Sequence, residues 1–124
     1  MYGIFLDDER NPEDVYWADY TDHIEWFVVN RAVDFMFAVG NLEEHISNYC
    51  FSFDHDIQSY NLAGDEVTGY DCLKYLVDYC LDNGYKIPEQ VFFHTQNPVG
   101  WQNMRSYYVN AVEHQNCSLN TTEH

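Results

Sequence analysis

The stretch Asn48-Tyr49-Cys50-Phe51-Ser52-Phe53-Asp54-His55-Asp56 decides the fold of this chain. It opens as a short run of apolar and small residues and closes on an acid, an imidazole and a second acid. A continuous apolar run of this kind reads as a parallel strand buried on both faces. In open α/β sheets, ligands bind beyond the carboxyl ends of such strands. Ionisable groups are costly to bury there and seldom needed for packing, so they read as a site. Two further runs repeat the pattern. Gly3-Ile4-Phe5-Leu6 closes on Asp7-Asp8-Glu9-Arg10, and Val91-Phe92-Phe93 closes on His94-Thr95-Gln96-Asn97. Runs that all end in polar groups at the same end predict one shared functional edge.

Between these runs the chain alternates strand and helix signals. Strands are expected at residues 3–7, 25–29, 49–54 and 91–94. Asn11 to His23 has no clear helical period and contains Pro12, so it reads as a loop with a short turn or an irregular strand. Asn30 is placed to cap a helix in which Ala32, Phe35, Met36 and Val39 share one face, with Gly40-Asn41 as its stop. Residues 42–47 read as a polar lead-in to the third strand, and residues 57–67 as a polar loop. Thr68-Gly69-Tyr70-Asp71 is a capping box. It opens a helix whose apolar face is Leu73, Leu76, Val77, Cys80 and Leu81, closed by Asn83-Gly84. A last helix begins near Asn97-Pro98, with proline in its first turn. Residues 1–112 are expected to form one domain, and residues 113–124 a polar C-terminal tail.

This alternation predicts an α/β fold: a doubly wound parallel sheet of about four strands in order 2-1-3-4, with helices on both faces. That order sets strands one and three side by side, bringing Asp7-Asp8 next to Asp54-His55-Asp56, with His94 on the following strand.

Composition narrows the function. The net charge is −16, with 21 acids against 5 Lys and Arg. Extended contact with a nucleic-acid backbone relies on cationic side chains and is not expected. The acids could serve solubility, gather around a cation that lets a small phosphate approach, or imitate nucleic acid to occupy a basic protein. Of the four cysteines, Cys50, Cys72, Cys80 and Cys117, none forms a C-x-x-C pair. They read as free thiols in a reducing compartment. With no targeting signal and no apolar run of ~20 residues, neither a membrane nor an export route is expected, which leaves the cytoplasm.

Four blocks carry a family resemblance. Leu6-Asp7-Asp8-Glu9-Arg10-Asn11-Pro12, Ser52-Phe53-Asp54-His55-Asp56, Thr68-Gly69-Tyr70-Asp71 and His94-Thr95-Gln96-Asn97-Pro98-Val99-Gly100 together resemble the cyclic-phosphate-processing receivers, a group derived from signalling receiver domains. The resemblance implies a receiver-like, flavodoxin-like fold and action on cyclic or terminal phosphates of nucleotides or RNA ends. A small acidic member also resembles a bacteriophage product, which would place it in the host cytoplasm. Signalling receivers carry a lysine after the last strand. Here Thr95-Gln96-Asn97-Pro98 offers none, and no fifth strand follows residue 112, so aspartyl-phosphate signalling is not expected.

Within that frame, Asp7, Asp8, Asp54 and Asp56 are oxygen ligands suited to a hard cation such as Mg²⁺ or Mn²⁺, although Asp7 or Asp56 could instead cap a loop or helix. His55 and His94 could move protons in the hydrolysis of a cyclic phosphodiester, or one could merely orient a carboxylate. Arg10 could clamp a phosphate or pair with Asp8 or Glu9. Thr95 and Asn97 could donate to phosphate oxygens, with Asn97 alternatively the cap of the last helix. Tyr and Trp residues at positions 16, 17, 60, 70 and 101 could stack on a base or simply pack. The leading expectation is a metal-assisted phosphoesterase. The alternatives are a non-catalytic acidic protein that inhibits a basic partner and a cyclic-nucleotide sensor or sponge.

Overall fold

Four parallel strands carry the fold. The computed structural model describes residues 1–18, 20 and 23–122, with side chains described as far as residue 118. Strands β1 (Tyr2–Leu6), β2 (Glu25–Val29) and β3 (Cys50–Phe53) are followed by a two-stranded hairpin, β4 (Ser59–Tyr60) and β5 (Glu66–Val67), and then by β6 (Val91–Phe93). The helices are α1 (Ala32–Leu42), α2 (Gly69–Asn83) and α3 (Pro98–Thr122). The main sheet has the order β2-β1-β3-β6, the receiver-like arrangement expected, with β6 as the fourth parallel strand. The strand order reverses between β1 and β3, which is where α/β sheets open a crevice for ligands.

Strand alternation divides the sheet into two unlike faces. Ile4 pairs with Phe51 and Leu6 with Phe53. These residues form one core with Phe35 and Val39 of α1, Leu73, Leu76 and Val77 of α2, and Met104 of α3. All three helices therefore pack on the Ile4/Phe51 face. The opposite face carries Phe5 and Ser52, and there the sequence reading's second layer of helix is replaced by the described residues of the 11–24 segment. Val15 is buried, Tyr20 packs its ring near Trp26 and Phe92, and Trp17 Nε1 donates to the His94 carbonyl at 2.7 Å. Pro12 and the missing helical period explain why the described residues of this crossover form only a 3₁₀ turn, at Pro12–Asp14.

Four local expectations are corrected. Helix α1 runs through Gly40, which keeps helical dihedrals, and reverses only at Glu43 with φ 51°. Its N-cap is Arg31, not Asn30, and the Ala32 amide is satisfied by Ser59 Oγ at 3.2 Å. Ser59 belongs to the β4–β5 hairpin, which occupies the segment read as a loop. A turn organised by the Asn61 side chain, accepting from Ala63 and Asp65 amides, brings its two short strands together. Finally, residues 113–122 are not a tail but the end of α3. Gln115 accepts from the Ile87 amide and donates to the Tyr85 carbonyl, both at 2.9 Å, so this last stretch holds the α2–β6 connection.

The capping box forms as read: Asp71 N donates to Thr68 Oγ1 at 3.3 Å, and Thr68 N to Asp71 Oδ2 at 2.9 Å. Gly84 ends α2 in the left-handed conformation, φ 71°. Cys50, Cys72 and Cys80 are buried, with no disulfide, and Cys117 is exposed. Burial pushes the Cys72 thiol up to about 12. Among the described residues no helix is long and apolar enough to cross a membrane.

Candidate functional site

The sheet ladder extends one residue past each strand and so sets the site. Asp7 N donates to Val29 O at 3.1 Å, Asp54 N to Leu6 O at 3.0 Å, and His94 N to Phe53 O at 3.0 Å. Asp7, Asp54 and His94 thus stand in line along the carboxyl edge of β1, β3 and β6. One carboxylate oxygen from each of Asp7, Asp8 and Asp54 lies within 4.8 Å of the others. This is the convergence that the strand order predicts.

Asp7 is the inner member of the cluster. Its Oδ1 accepts from the amides of Glu9 and Arg10 at 2.8 and 2.9 Å, and its Oδ2 from His94 Nε2 at 3.0 Å. Burial alone would raise its pKa, but the bonds from His94, Glu9 and Arg10 outweigh it and hold the group below the usual carboxylate range. Asp54 goes the other way: burial first, then the Asp7 charge, push it up. Asp8 is raised mainly by burial. Arg10 Nη1 lies 3.4 Å from Asp7 and 3.9 Å from Asp54, with its guanidinium 5.2 Å above the Trp17 ring. One guanidinium faces three converging carboxyl groups, so the cluster remains short of positive charge. An all-oxygen donor set with that deficit suits a hard divalent cation.

The two histidines take different places. His94 is fully buried, its ring stacked on Phe5 with centroids 4.3 Å apart. It links Asp7 to Ser52 Oγ, 2.7 Å from Nδ1, and Ser52 in turn meets Tyr20 OH at 2.7 Å. The structure therefore sets His94 behind Asp7 rather than in the crevice. His55 is partly exposed, with Nδ1 2.9 Å from Asp56 Oδ1. Asp56 also accepts from Asn97 Nδ2 at 3.3 Å, and the His55 bond holds its pKa down. Asp56 lies outside the three-carboxylate cluster and braces His55 and Asn97 beside it.

Two glycines permit this crowding. A Cβ on Gly69 would sit 1.6 Å from the Asp54 carbonyl oxygen, and one on Gly100 would sit 2.6 Å from His55 Cγ. The starts of α2 and α3 are thereby pressed against the strand end that carries Asp54 and His55. Asn97 caps α3, its Oδ1 accepting from Gly100 N at 3.1 Å, while Thr95 Oγ1 accepts from Asn97 N at 3.2 Å.

Asp8, Arg10, Asp54, Asp56, Thr95 and Asn97 line one crevice of about 270 Å³. Glu9, Gln58 and Gln96 line it too, and the sequence reading did not single them out. Gln58 has φ 51°, a conformation a non-glycine residue seldom adopts, at the rim of the crevice. Ser52 and Tyr20 were also missed as site residues. The only sequence signal for Ser52 is a polar residue inside an apolar strand run, and Tyr20, in the loop before β2, has none.

A family model described as the cyclic-phosphate processing receiver domain matches residues 2–110. Comparison with curated proteins and with solved structures finds no match.

Proposed function

The chain belongs to the cyclic-phosphate processing receiver family, and on that footing we propose that it is a metal-assisted phosphoesterase acting on cyclic or terminal phosphates of nucleotides or RNA ends. The observation that carries this reading is the meeting of Asp7, Asp8 and Asp54 within 4.8 Å, beside a crevice that also holds Arg10, Thr95 and Asn97. Acids alone would repel a phosphate. An arginine, a hydroxyl and the capped start of a long helix in the same crevice give the anion a place to sit.

Asp7, Asp8 and Asp54 would hold a Mg²⁺ or Mn²⁺ ion, which when bound would stabilise charge on a phosphoryl oxygen and acidify water. Arg10 and the Thr95 hydroxyl grip the phosphate, and Asn97 orders the first turn of α3 against it. His55 takes the proton of the attacking water; its Nδ1, tied to Asp56, leaves Nε2 as the acceptor. The water oxygen forms the new bond to phosphorus. The bond to the ribose oxygen breaks, and that oxygen is protonated from solvent in the open crevice. His94 acts through Asp7, holding the carboxylate in its orientation.

The test is turnover of 2′,3′-cyclic nucleotides and of terminally phosphorylated oligonucleotides with Mg²⁺ or Mn²⁺. Asp54→Asn and His55→Ala should each lower kcat by ~10²–10⁴-fold. Full activity in Asp54→Asn, or no divalent-dependent turnover of either substrate class, would refute the proposal. Binding without turnover would return the sensor reading.

A further inference from the structure

Resting on the nucleotide-phosphate reading above, we infer that the groove beside β6 is a nucleobase subsite, and that Arg105 selects an oligonucleotide end over a free mononucleotide. The groove encloses about 380 Å³, and its walls include Trp17, Phe92, Trp101, Arg105 and Tyr108. That volume falls in the range of small-ligand sites, roughly 300–1,000 Å³. Aromatic faces are the chemistry that receives a base, because every base offers a π-face whatever its sequence.

Two connections join the groove to the phosphate crevice. Arg10, which lines the crevice, lies over the Trp17 ring at 5.2 Å. Asn97, which also lines the crevice, is one helical turn before Trp101, whose amide donates to the Asn97 carbonyl at 2.9 Å. A nucleotide with its phosphate against Arg10 and Thr95 would therefore meet indoles next. Trp101 remains 39% exposed on a helix that buries Met104 completely, so its indole is open to a ligand.

Charge decides the rest. The chain has only five Lys and Arg against a net −16. Arg31 pairs with Asp34 and Lys86 with Glu89, Arg10 contacts Asp7 and Asp54, and Lys74 lies over Tyr70. Among the described residues Arg105 has no carboxylate at ion-pair distance, and its guanidinium lies over the Trp101 ring at 5.7 Å. In so acidic a chain, this cation in an aromatic groove suits the phosphate that follows the stacked base.

Calorimetric binding in Mg²⁺, carried out in the His55→Ala background so that turnover does not consume the probes, tests this with ribose 3-phosphate, a nucleoside 3′-phosphate, and a trinucleotide ending in a 3′-phosphate. Trp101→Ala should weaken the two base-bearing probes by roughly ten- to a hundredfold and leave ribose 3-phosphate unchanged. Arg105→Gln, an exposed change that spares the core, should weaken the trinucleotide alone and reduce its log–log salt slope by about 0.7. Equal binding of base-bearing and base-less phosphates would overturn the subsite and leave the phosphoesterase reading intact. An unchanged trinucleotide affinity in Arg105→Gln would overturn the selection of an oligonucleotide end. Loss of turnover as a general property would leave these binding differences in place, since none of them requires catalysis.

Discussion

His94 Nε2 lies 3.0 Å from Asp7 Oδ2, with both residues essentially withdrawn from solvent. The pair joins two strand ends that are separated by β3 in the sheet and by 87 positions in the chain. It fixes the carboxylate at the centre of the acidic cluster, which the Asp7 loop amides hold from the other side.

Replacing this imidazole should cost stability before it costs chemistry. His94→Ala removes the buried imidazole that bonds both the Asp7 carboxylate, which keeps its Glu9 and Arg10 amides, and the Ser52 hydroxyl, which keeps Tyr20, a loss of about 3 kcal/mol. Urea unfolding at neutral pH measures it. Because Asp7 is held below its ordinary pKa, its contribution is complete above the unfolded carboxylate range and is lost as pH falls through the folded value. The difference between wild type and His94→Ala should therefore narrow under acid. A variant as stable as wild type at pH 7 would show that the pair is idle.

Asp54 predicts the opposite sign. Its pKa is raised by burial and then by Asp7, so the folded state binds its proton more tightly than the unfolded state does. Stability from this group falls as pH rises from the unfolded to the folded value. Without divalent ions, Asp54→Asn should be more stable at pH 7, by on the order of 1 kcal/mol. With Mg²⁺ or Mn²⁺, the wild type should gain several degrees in Tm and the variant none. Thermal melting in chelator and in each ion checks both halves, and a wild-type Tm indifferent to both ions would contradict the metal site.

The glycines should separate sharply. Gly69→Ala forces a Cβ to within 1.6 Å of the Asp54 carbonyl oxygen, a backbone atom that cannot swing aside, and should destabilise by roughly 3 kcal/mol. Gly40→Ala, inside α1 with nothing within 4 Å, should stabilise by about 0.5–1 kcal/mol. Gly100→Ala presses on the His55 ring instead. It should fold, yet lose roughly 10²-fold in kcat as the ring is displaced. Denaturant midpoints and single-substrate kinetics report these outcomes.

Ending the chain after Val112 should weaken the fold. The deletion removes Gln115, which bonds both Ile87 N and Tyr85 O, and Gln115→Ala removes the same two bonds alone. About 1–2 kcal/mol is expected for the point substitution and more for the deletion. Equal stability of all three forms would mean that the last turns of α3 do not support the α2–β6 connection.

What could be read in advance followed periodicity. Apolar runs such as Phe51–Phe53 and the Thr68/Asp71 box announce themselves locally, and parallel topology then lines up Asp7, Asp54 and His94 without any contact information. The inward turn of His94 could not be read, because Ser52 and Asp7 lie 42 and 87 positions away. The same holds for the cap that Ser59 provides to Ala32 and for the anchorage of Gln115. The polar stretch after Val112 reads as a tail because Gln115 anchors it through hydrogen bonds, which leave no hydrophobic stripe in the sequence. Gly69 and Gly100 look like ordinary loop and helix-start residues until the Asp54 carbonyl and the His55 ring are set against them.

The covering of the Phe5/Ser52 side by an irregular strap means that the two sides of this sheet answer to different forces. The helical side is secured by broad apolar burial. The strap is pinned through Tyr20 and Trp17, whose hydrogen bonds lead directly to Ser52 and His94. A disturbance that lifts the strap would slacken the Asp7–His94 edge while the helices stayed seated. The carboxylate edge can thus be tuned from behind, by a route that never crosses the packed interior.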